Sequence, residues 1–249
     1  FPSVKITERI SIFFLHLKFL STLAQSCVRL IFGNMVNRIG DKNSILNKFI
    51  YEMRDAEIQL EPMRFRRNME RVGEVLAYEL SQKLKYLEEL VQTPLGEKKV
   101  AILQDQPIIA SILRAGLPLH YGVLNYFDQA ESAFISAYRK HKNNEEYDIL
   151  IEYLAAPNID KKDLILCDPM LATGRSMVNA YKALLLYGKP RMIHVVAAIA
   201  SEEALDYVKT NMPANTEIWV AAVDPDLTAQ SYIVPGLGDA GDLAFGTKV

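Results

Sequence analysis

The sequence has few of the residues that build disulfide frameworks, metal sites or nucleic-acid-binding surfaces. It contains two cysteines, Cys27 and Cys167, and four histidines in 249 residues. Two cysteines this far apart provide neither a disulfide framework nor a zinc site, and they are typical of a reducing compartment, so we expect a cytoplasmic protein. The histidines lack metal-ligand spacing, and His194 lies in an apolar run that predicts a core position. The net charge of −2 argues against a protein that binds nucleic acid mainly through phosphate contacts.

The sequence also lacks internal repeats, low-complexity tracts and a convincing membrane span. The apolar run from Ile10 to Leu15 follows basic residues, as in a signal peptide, but His16 and Lys18 interrupt it. Met35 resembles a natural initiator. We therefore predict that residues 1–34 are a non-catalytic N-terminal extension, and that residues 35–249 form one catalytic domain.

The order of the predicted elements is that of an α/β domain. Half of the residues are hydrophobic, which is enough to bury a large core. We predict a helical part from Ser44 to about Leu90, broken at Glu61-Pro62, and then alternating strands and helices. The predicted elements that follow are a strand over Pro107–Leu113, a helix over Leu117–Phe127, a strand over Ser132–Tyr138 and an antiparallel strand over Ile149–Leu154.

The most informative segment joins a buried strand to a helix. The apolar run Leu164–Cys167 ends at Asp168, and the small-residue turn Ala172–Ser176 precedes a helical pattern of apolar residues from Met177. A second apolar run, Ile193–Ala200, follows. Strand, loop, helix and strand form a βαβ unit, and its loop lies at the carboxyl end of the first strand.

This loop has the residues of a ribose-phosphate cradle. Backbone N–H groups at a helix start bind anions, Gly174 permits close approach, and the hydroxyls of Thr173 and Ser176 can donate to phosphate oxygens. Asp168 can accept hydrogen bonds from sugar hydroxyls. The pattern is neither a Walker loop nor a dinucleotide fingerprint. On this segment alone, an ordinary strand-to-helix turn with a capping Thr or Ser remains an equal alternative.

The C-terminal segment from Tyr232 to Lys248 is rich in glycine. Four glycines lie between Gly236 and Gly246 and predict a shaped loop that is neither a helix nor a regular strand. The backbone groups of such a loop can recognise a planar molecule with alternating donors and acceptors, such as a pyrimidine edge. The alternative is a surface loop at a fraying terminus.

These segments together resemble the uracil phosphoribosyltransferases, the pyrimidine-salvage branch of the type I phosphoribosyltransferase family. The resemblance rests on Ile112–Leu117, Tyr138-Arg139, Asp168–Gly174 with Ser176, and Ile233–Lys248, and it covers roughly Ser44 to Val249. It implies an α/β fold with a central, mainly parallel sheet flanked by helices, an N-terminal helical part, a β-arm and a Gly-rich C-terminal hood. It also implies transfer of the phosphoribosyl group of 5-phosphoribosyl 1-diphosphate (PRPP) to N1 of uracil, which gives uridine monophosphate (UMP) and diphosphate.

The resemblance also implies which residues act. The implied catalytic residues are Arg114, Arg139, Asp168 and Asp239. The implied contacts with PRPP come from these four and from Pro169, Met170, Leu171, Ala172, Thr173, Gly174, Arg175 and Ser176. The implied contacts with uracil come from Ile233, Gly238, Asp239 and Ala240. Mg²⁺ is implied as a cofactor that PRPP and water hold, without protein ligands.

The resemblance also implies the partners of the chain, and the sequence differs from the family at two places. It implies a homodimer or higher homo-oligomer, with no nucleic-acid or membrane partner, and it admits GTP as an effector. The chain has Arg175 where the family usually has glycine, and the residues after Arg139 diverge from the family's acidic stretch. The alternative function is a catalytically weak homologue that acts as a nucleotide-sensing or RNA-binding pyrimidine regulator.

Overall fold

The computed structural model describes residues 36–141 and 147–248, and it leaves the side chains of residues 137–151 undescribed. The prediction for residues 1–34 falls outside this part and stays a prediction. The helices are α1 (Ile45–Arg54), α2 (Pro62–Ser81), α3 (Gly116–Leu124), α4 (Arg175–Leu184), α5 (Glu202–Asn211) and α6 (Ala240–Phe245). The strands are β1 (Val36–Arg38), β2 (Tyr86–Thr93), β3 (Gly96–Leu103), β4 (Ile108–Leu113), β5 (Glu131–His141), β6 (Tyr147–Ala155), β7 (Asp163–Cys167), β8 (Met170–Leu171), β9 (Met192–Ser201), β10 (Thr216–Asp224), β11 (Asp226–Leu227) and β12 (Ile233–Val234).

The central sheet is mainly parallel, as predicted. Its strand order is β1-β10-β9-β7-β4-β5-β6, with β8 paired to β9. Only the β5–β6 pair is antiparallel among the described strands of this sheet. The register pairs Ser111 of β4 with Cys167 of β7, and Cys167 with Val196 of β9. The carboxyl ends of these strands therefore lie at one edge of the sheet, where an open α/β sheet binds its ligands.

Alternating residues of the buried strands form two cores, one on each face of the sheet. Ile109 and Ile165 belong to the core that contains Leu46 of α1, Met69 of α2 and Leu119 of α3. Ile108 and Leu164 belong to the core that contains Met177 of α4 and Leu205 of α5. Burial on both faces explains why β4 and β7 are continuous apolar runs, because successive side chains point to opposite layers of helices.

The N-terminal helices begin where the sequence signals them. Ser44 and Asn47 form a capping box at the start of α1, and Glu61 caps α2, which has Pro62 at its first position. The predicted helical part is wrong beyond Ser81, however, because Tyr86–Leu90 belongs to β2. This strand pairs with β3 in an antiparallel hairpin, with Tyr86 opposite Leu103. The tyrosine, valine and threonine of β2 and the glycine at its turn suit this pairing, and they override the helical pattern.

The predictions for the alternating part are confirmed, with small shifts of their bounds, and Ile149–Leu154 lies in β6, antiparallel to β5. The prediction that the tail forms no helix or strand is wrong. Ile233-Val234 pairs with β11, and Ala240–Phe245 forms α6. Asp239 initiates α6, because its side chain accepts hydrogen bonds from the backbone N–H groups of Gly241 and Asp242. In the described part of the chain, no helix is long and apolar enough to cross a membrane.

Candidate active site

Two of the predicted site residues follow neighbouring strands at the same sheet edge. Arg114 comes directly after β4, and Asp168 comes directly after β7. Arg139 lies within β5, which neighbours β4, and it pairs with Ile149 of β6. The Arg139 side chain is outside the described residues, so its predicted role stays a prediction. The topology thus brings Arg114 and Asp168 to one edge from distant parts of the sequence.

The predicted ribose-phosphate loop is a tight turn at the start of α4. A carboxylate oxygen of Asp168 accepts a hydrogen bond from the Met170 backbone N–H at 3.2 Å. Gly174 is the N-cap of α4, with φ of 72°, and no side chain caps the helix there. A helix start without a side-chain cap leaves backbone donors available for an anion. This geometry favours the phosphate cradle over the capped turn that the sequence also allowed.

The difference at Arg175 is compatible with the turn. The left-handed backbone falls on Gly174, and Arg175 is the first residue of α4. An arginine therefore causes no backbone strain at this position. Its guanidinium carbon lies 6.0 Å from the ring centre of Tyr207, a cation–π distance that holds the side chain against α5.

Ser201, which the sequence did not indicate, anchors the same turn. Its hydroxyl donates to the Ala172 carbonyl at 2.6 Å and accepts from the Ala204 backbone N–H at 2.9 Å. The side chain is fully buried. Ser201 therefore caps α5 and fixes the turn with one hydroxyl. Its position at the end of an apolar strand, followed by two glutamates, is the helix-cap signal that could have identified it.

The glycine-rich tail contacts the segment after β4. Nη2 of Arg114 lies 3.0 Å from Oδ1 of Asp242 and donates to the Gly246 carbonyl at 3.1 Å. Arg66 of α2 holds the same tail, since its Nη1 donates to the Ala244 carbonyl at 2.6 Å. The tail is therefore not a fraying terminus. It packs beside the residue that the resemblance assigns to diphosphate.

The predicted uracil residues lie together in this tail. Ile233 and Ala240 are buried, whereas Gly238 is exposed and has φ of 93°. The backbone N–H groups of Gly241 and Asp242 both donate to Oδ1 of Asp239. Among the described residues, Oδ2 of Asp239 has no hydrogen-bond donor, so this oxygen is available to a ligand.

Arg54 and Asp224, which the sequence did not indicate, hold the first part of the tail at Gly236. Asp224 is the last residue of β10, and it forms a two-point ion pair with Arg54 of α1. A signal was present: Asp224-Pro225 after an apolar strand repeats the pattern of Asp168-Pro169. Arg54 carries no such signal, because its partner is 170 residues away in sequence.

The buried sulfur and imidazole groups of the sheet are not suited to proton transfer. Burial raises the pKa of the Cys167 thiol far above its usual range, so a thiolate nucleophile is excluded there. Burial also lowers the pKa of His120 and of His194 to about 4. His194 is a core residue, as predicted, and its Nδ1 accepts from the Trp219 indole at 3.2 Å. Within the described ranges, no three His, Cys, Asp or Glu side chains group as a metal site.

A cavity of about 330 Å³ lies at the other edge of the sheet. It is lined by Asp105, Gln106, Pro107, Gln129, Glu131, Lys161, Lys162 and Arg191. These residues lie at or before the starts of β4, β5, β7 and β9. Lys162 pairs with Glu131, and Arg191 pairs with Asp163, so most of the charge that lines this cavity is already neutralised by ion pairs. The cavity is therefore separate from the predicted site.

Comparison with known proteins gives one consistent result. The family model described as "Uracil phosphoribosyltransferase" matches residues 41–247. A uracil phosphoribosyltransferase of Porphyromonas gingivalis is 57% identical over 214 residues, which are 86% of this chain and 99% of that protein. One from Methanothermobacter thermautotrophicus is 38% identical over 75% of this chain and 86% of its own length. The structure of the AQ2163 protein from Aquifex aeolicus superposes with a TM-score of 0.75 at 29% identity, and covers 86% of this chain and 99% of that one.

Proposed function

The chain belongs to the uracil phosphoribosyltransferase family, and on this basis we propose that it converts uracil and PRPP to UMP and diphosphate. The observation that carries the proposal is the contact between the glycine-rich tail and Arg114. Asp242 of the tail pairs with Arg114, which follows β4 at the same sheet edge as Asp168, the first residue of the ribose-phosphate loop. No feature of the described residues favours the alternative of an RNA-binding regulator.

Arg114 is proposed to bind the diphosphate of PRPP. Its side chain is 40% exposed, and both of its hydrogen bonds use Nη2. In the described part of the chain, Nη1 and Nε have no acceptor, so their three N–H groups are available to a ligand. A guanidinium matches pairs of phosphate oxygens in two-point geometry. Arg139 is proposed as a second cation, because its strand neighbours β4 and crosses the same sheet edge.

The loop from Asp168 to Ser176 is proposed to hold the 5-phosphate and the ribose. The uncapped N–H groups at Gly174 and the first residues of α4 point to the phosphate, and the hydroxyls of Thr173 and Ser176 add donors. Asp168 accepts from the ribose hydroxyls. Pro169, Met170, Leu171, Ala172 and Arg175 are proposed to contribute backbone groups to the loop, since the Leu171 side chain is buried in the core and the Arg175 side chain lies against Tyr207.

The tail is proposed to read uracil through its backbone. Ile233, Gly238 and Ala240 supply carbonyl and N–H groups, and uracil offers alternating acceptors and a donor along its edge. Cytosine reverses donor and acceptor at one position. A buried group left unpaired costs about 1–3 kcal/mol, which corresponds to roughly ten- to a hundredfold in selectivity.

The reaction then consists of one substitution at C1 of the ribose. The bond from C1 to the diphosphate oxygen breaks and keeps its electron pair on the diphosphate, while the lone pair of uracil N1 forms the new bond with inversion. The N1 proton passes to Asp239 Oδ2 or to solvent. Arg114 and Arg139 stabilise the departing charge, and the loops hold the two reactants in line and exclude water.

Mg²⁺ is proposed to arrive bound to the PRPP diphosphate, as part of the substrate. Mg²⁺ prefers hard oxygen ligands and usually keeps several waters, so phosphate oxygens and water can hold it. When bound, Mg²⁺ neutralises part of the charge of the leaving group.

A homodimer or higher homo-oligomer is also proposed. The β2–β3 hairpin exposes apolar side chains, among them Leu90 at 61% and Leu95 at 100%, and a second copy of the chain would cover them. Sedimentation of the purified chain at several concentrations tests this proposal. Activation by GTP and a cytoplasmic location stay predictions.

The test of the site assignment is steady-state kinetics of UMP formation with Asp168→Asn and Arg114→Met beside the unaltered chain. We expect both variants to raise the KM for PRPP or lower kcat by at least about tenfold, since each removes a charged hydrogen bond to PRPP. Unchanged kinetics in both variants would contradict the assignment.

A further inference from the structure

An ion pair outside the predicted site holds the turn that carries the uracil-reading backbone. Nη1 of Arg54 lies 2.7 Å from Oδ2 of Asp224, and Nη2 lies 2.8 Å from Oδ1. The same Nη1 donates to the Gly236 carbonyl at 2.9 Å, and the Gly236 N–H donates to Oδ2 of Asp224 at 2.9 Å. One ion pair therefore binds both backbone groups of Gly236.

The environment of this turn leaves it little freedom. The Asp224 side chain is 7% exposed and that of Arg54 is 24% exposed. Gln59, with its amide oriented to donate, adds hydrogen bonds to the Leu237 carbonyl at 2.8 Å and the Met53 carbonyl at 3.1 Å. Three side chains from α1, the segment after it and β10 thus hold two consecutive residues of the tail.

The turn also has no space for a side chain at Gly236, because the Ile233 carbonyl packs against it. Gly236 has φ of 57°, and a Cβ there would lie 2.1 Å from the Ile233 carbonyl oxygen. The Ile233 carbonyl and Gly236 are therefore in direct contact, and a shift of Gly236 moves Ile233. Gly238, Asp239 and Ala240 follow within four residues, so the same shift moves the rest of the predicted uracil-binding backbone.

From this geometry we propose that Arg54 and Asp224 are positioning residues for uracil recognition. They do not contact uracil. They fix Gly236, and through it the carbonyl and N–H groups of Ile233, Gly238 and Ala240. Since a base read by backbone groups requires those groups at fixed positions, the ion pair acts mainly on the affinity for uracil. Of the implied PRPP contacts, Asp239 alone lies in the tail, whereas Arg114, Arg139 and the loop from Asp168 to Ser176 lie elsewhere in the chain. This inference rests on the proposed function.

The chain contains a matched ion pair that serves as a control. Arg191 and Asp163 lie 2.6 Å apart, with side chains 25% and 7% exposed, close to the values of the Arg54–Asp224 pair. They lie near the starts of β9 and β7, at the edge of the sheet opposite the tail. Among the described residues, the Arg54 side chain donates three hydrogen bonds and that of Arg191 donates one, to Asp163. A loss of stability alone should therefore lower the thermal midpoint in variants of both pairs without a selective change in the KM for uracil.

The experiment compares Arg54→Met and Arg54→Lys with Arg191→Met and Arg191→Lys in the full chain. The readouts are kcat, the KM for uracil, the KM for PRPP and the thermal midpoint. We expect Arg54→Met to raise the KM for uracil about ten- to a hundredfold, because it removes the charged hydrogen bond to the Gly236 carbonyl and leaves Asp224 without its ion-pair partner. The KM for PRPP should rise severalfold less than the KM for uracil, because Asp239 is the one implied PRPP contact in this tail. Arg54→Lys keeps the charge beside Asp224, so its KM for uracil should rise less than that of Arg54→Met. The Arg191 variants should lower the thermal midpoint and leave the KM for uracil unchanged.

Other outcomes overturn the proposal. An unchanged KM for uracil in Arg54→Lys and Arg54→Met, or equal rises in both KM values, would show that the pair only stabilises the fold. The same uracil defect in the Arg191 variants would show this as well. If Arg54→Met does not fold, Arg54→Lys alone is the test. A selective rise in the KM for uracil would support the proposal, and an unchanged KM for uracil would overturn it. Turnover of uracil by the unaltered chain is measured first, so failure of the proposed function is seen separately.

Discussion

A single methyl group at Gly174 should weaken PRPP binding without changing the handling of uracil. Gly174 has φ of 72°, and a Cβ there would lie 3.0 Å from Cγ2 of Val208 and 3.1 Å from the Ala204 carbonyl oxygen. The left-handed backbone costs a residue with a side chain about 1–2 kcal/mol. The contact with Val208 can relax by a side-chain movement, whereas the contact with the Ala204 backbone requires the turn or α5 to move. We therefore expect a total cost of about 1–3 kcal/mol in Gly174→Ala.

The two parts of this cost appear in different measurements. For a domain of this size, each kcal/mol lowers the thermal midpoint by about 2–4 °C, so a cost of about 1–3 kcal/mol should lower it by roughly 2–12 °C. A displaced turn also moves the N–H donors at the start of α4, and we expect the KM for PRPP to rise about tenfold while the KM for uracil stays within about twofold. The assay is UMP formation with each substrate varied in turn, beside a thermal melt.

The control is Gly96→Ala, at the turn of the β2–β3 hairpin. Gly96 has φ of 152°, and a Cβ there meets nothing within 4 Å, so this variant carries backbone strain outside the predicted site. It should lower the thermal midpoint and leave both KM values unchanged. If Gly174→Ala has a lower thermal midpoint but an unaltered KM for PRPP, the turn is only structural and the phosphate cradle is refuted.

Three further predictions concern the tail and the buried histidines. Asp242→Asn should lower the KM for PRPP by up to about fivefold, because the Asp242 carboxylate competes with diphosphate for Arg114. Exposed ion pairs of this kind contribute about 0–1 kcal/mol. A higher KM for PRPP would contradict this prediction. Asp239→Asn should keep the thermal midpoint, because Asn also caps a helix, and lower kcat at least about tenfold; unaltered kcat would exclude Asp239 from the reaction. Because burial lowers the pKa of His120 and His194 to about 4, the unfolded chain binds protons first as the pH falls. Urea unfolding should thus show stability that is complete above about pH 6.5 and declines towards pH 4, by about 3 kcal/mol per histidine, and glutamine at either position should flatten the slope.

The sequence was sufficient to predict the sheet and the loop after β7, for local reasons. A strand buried on both faces is a continuous apolar run, and the turn after it needs small residues, so Leu164–Cys167 and Ala172–Ser176 are recognisable from neighbouring residues alone. The tail was recognised from its composition but not from its geometry. The cap that starts α6 depends on Asp239 accepting two backbone N–H groups, and glycine-rich composition conceals it.

The contacts that hold the tail could not be predicted, because they join residues far apart in the chain. Arg114 and Asp242 are 128 positions apart, and Arg54 and Gly236 are 182 positions apart. Local patterns contain no information about such pairs. The hairpin β2–β3 was missed for a related reason: its strands are exposed on both faces, and exposed strands lack the alternating pattern that identifies a half-buried strand.

The most direct test of the proposed phosphoribosyl transfer to uracil is the conversion of radiolabelled bases with PRPP and Mg²⁺ by the unaltered chain. Uracil, cytosine, hypoxanthine and orotate are each supplied under the same conditions. We expect labelled UMP from uracil, and at least about tenfold less product from cytosine, because one backbone group would stay unpaired. Absence of UMP, or equal conversion of cytosine, would contradict it.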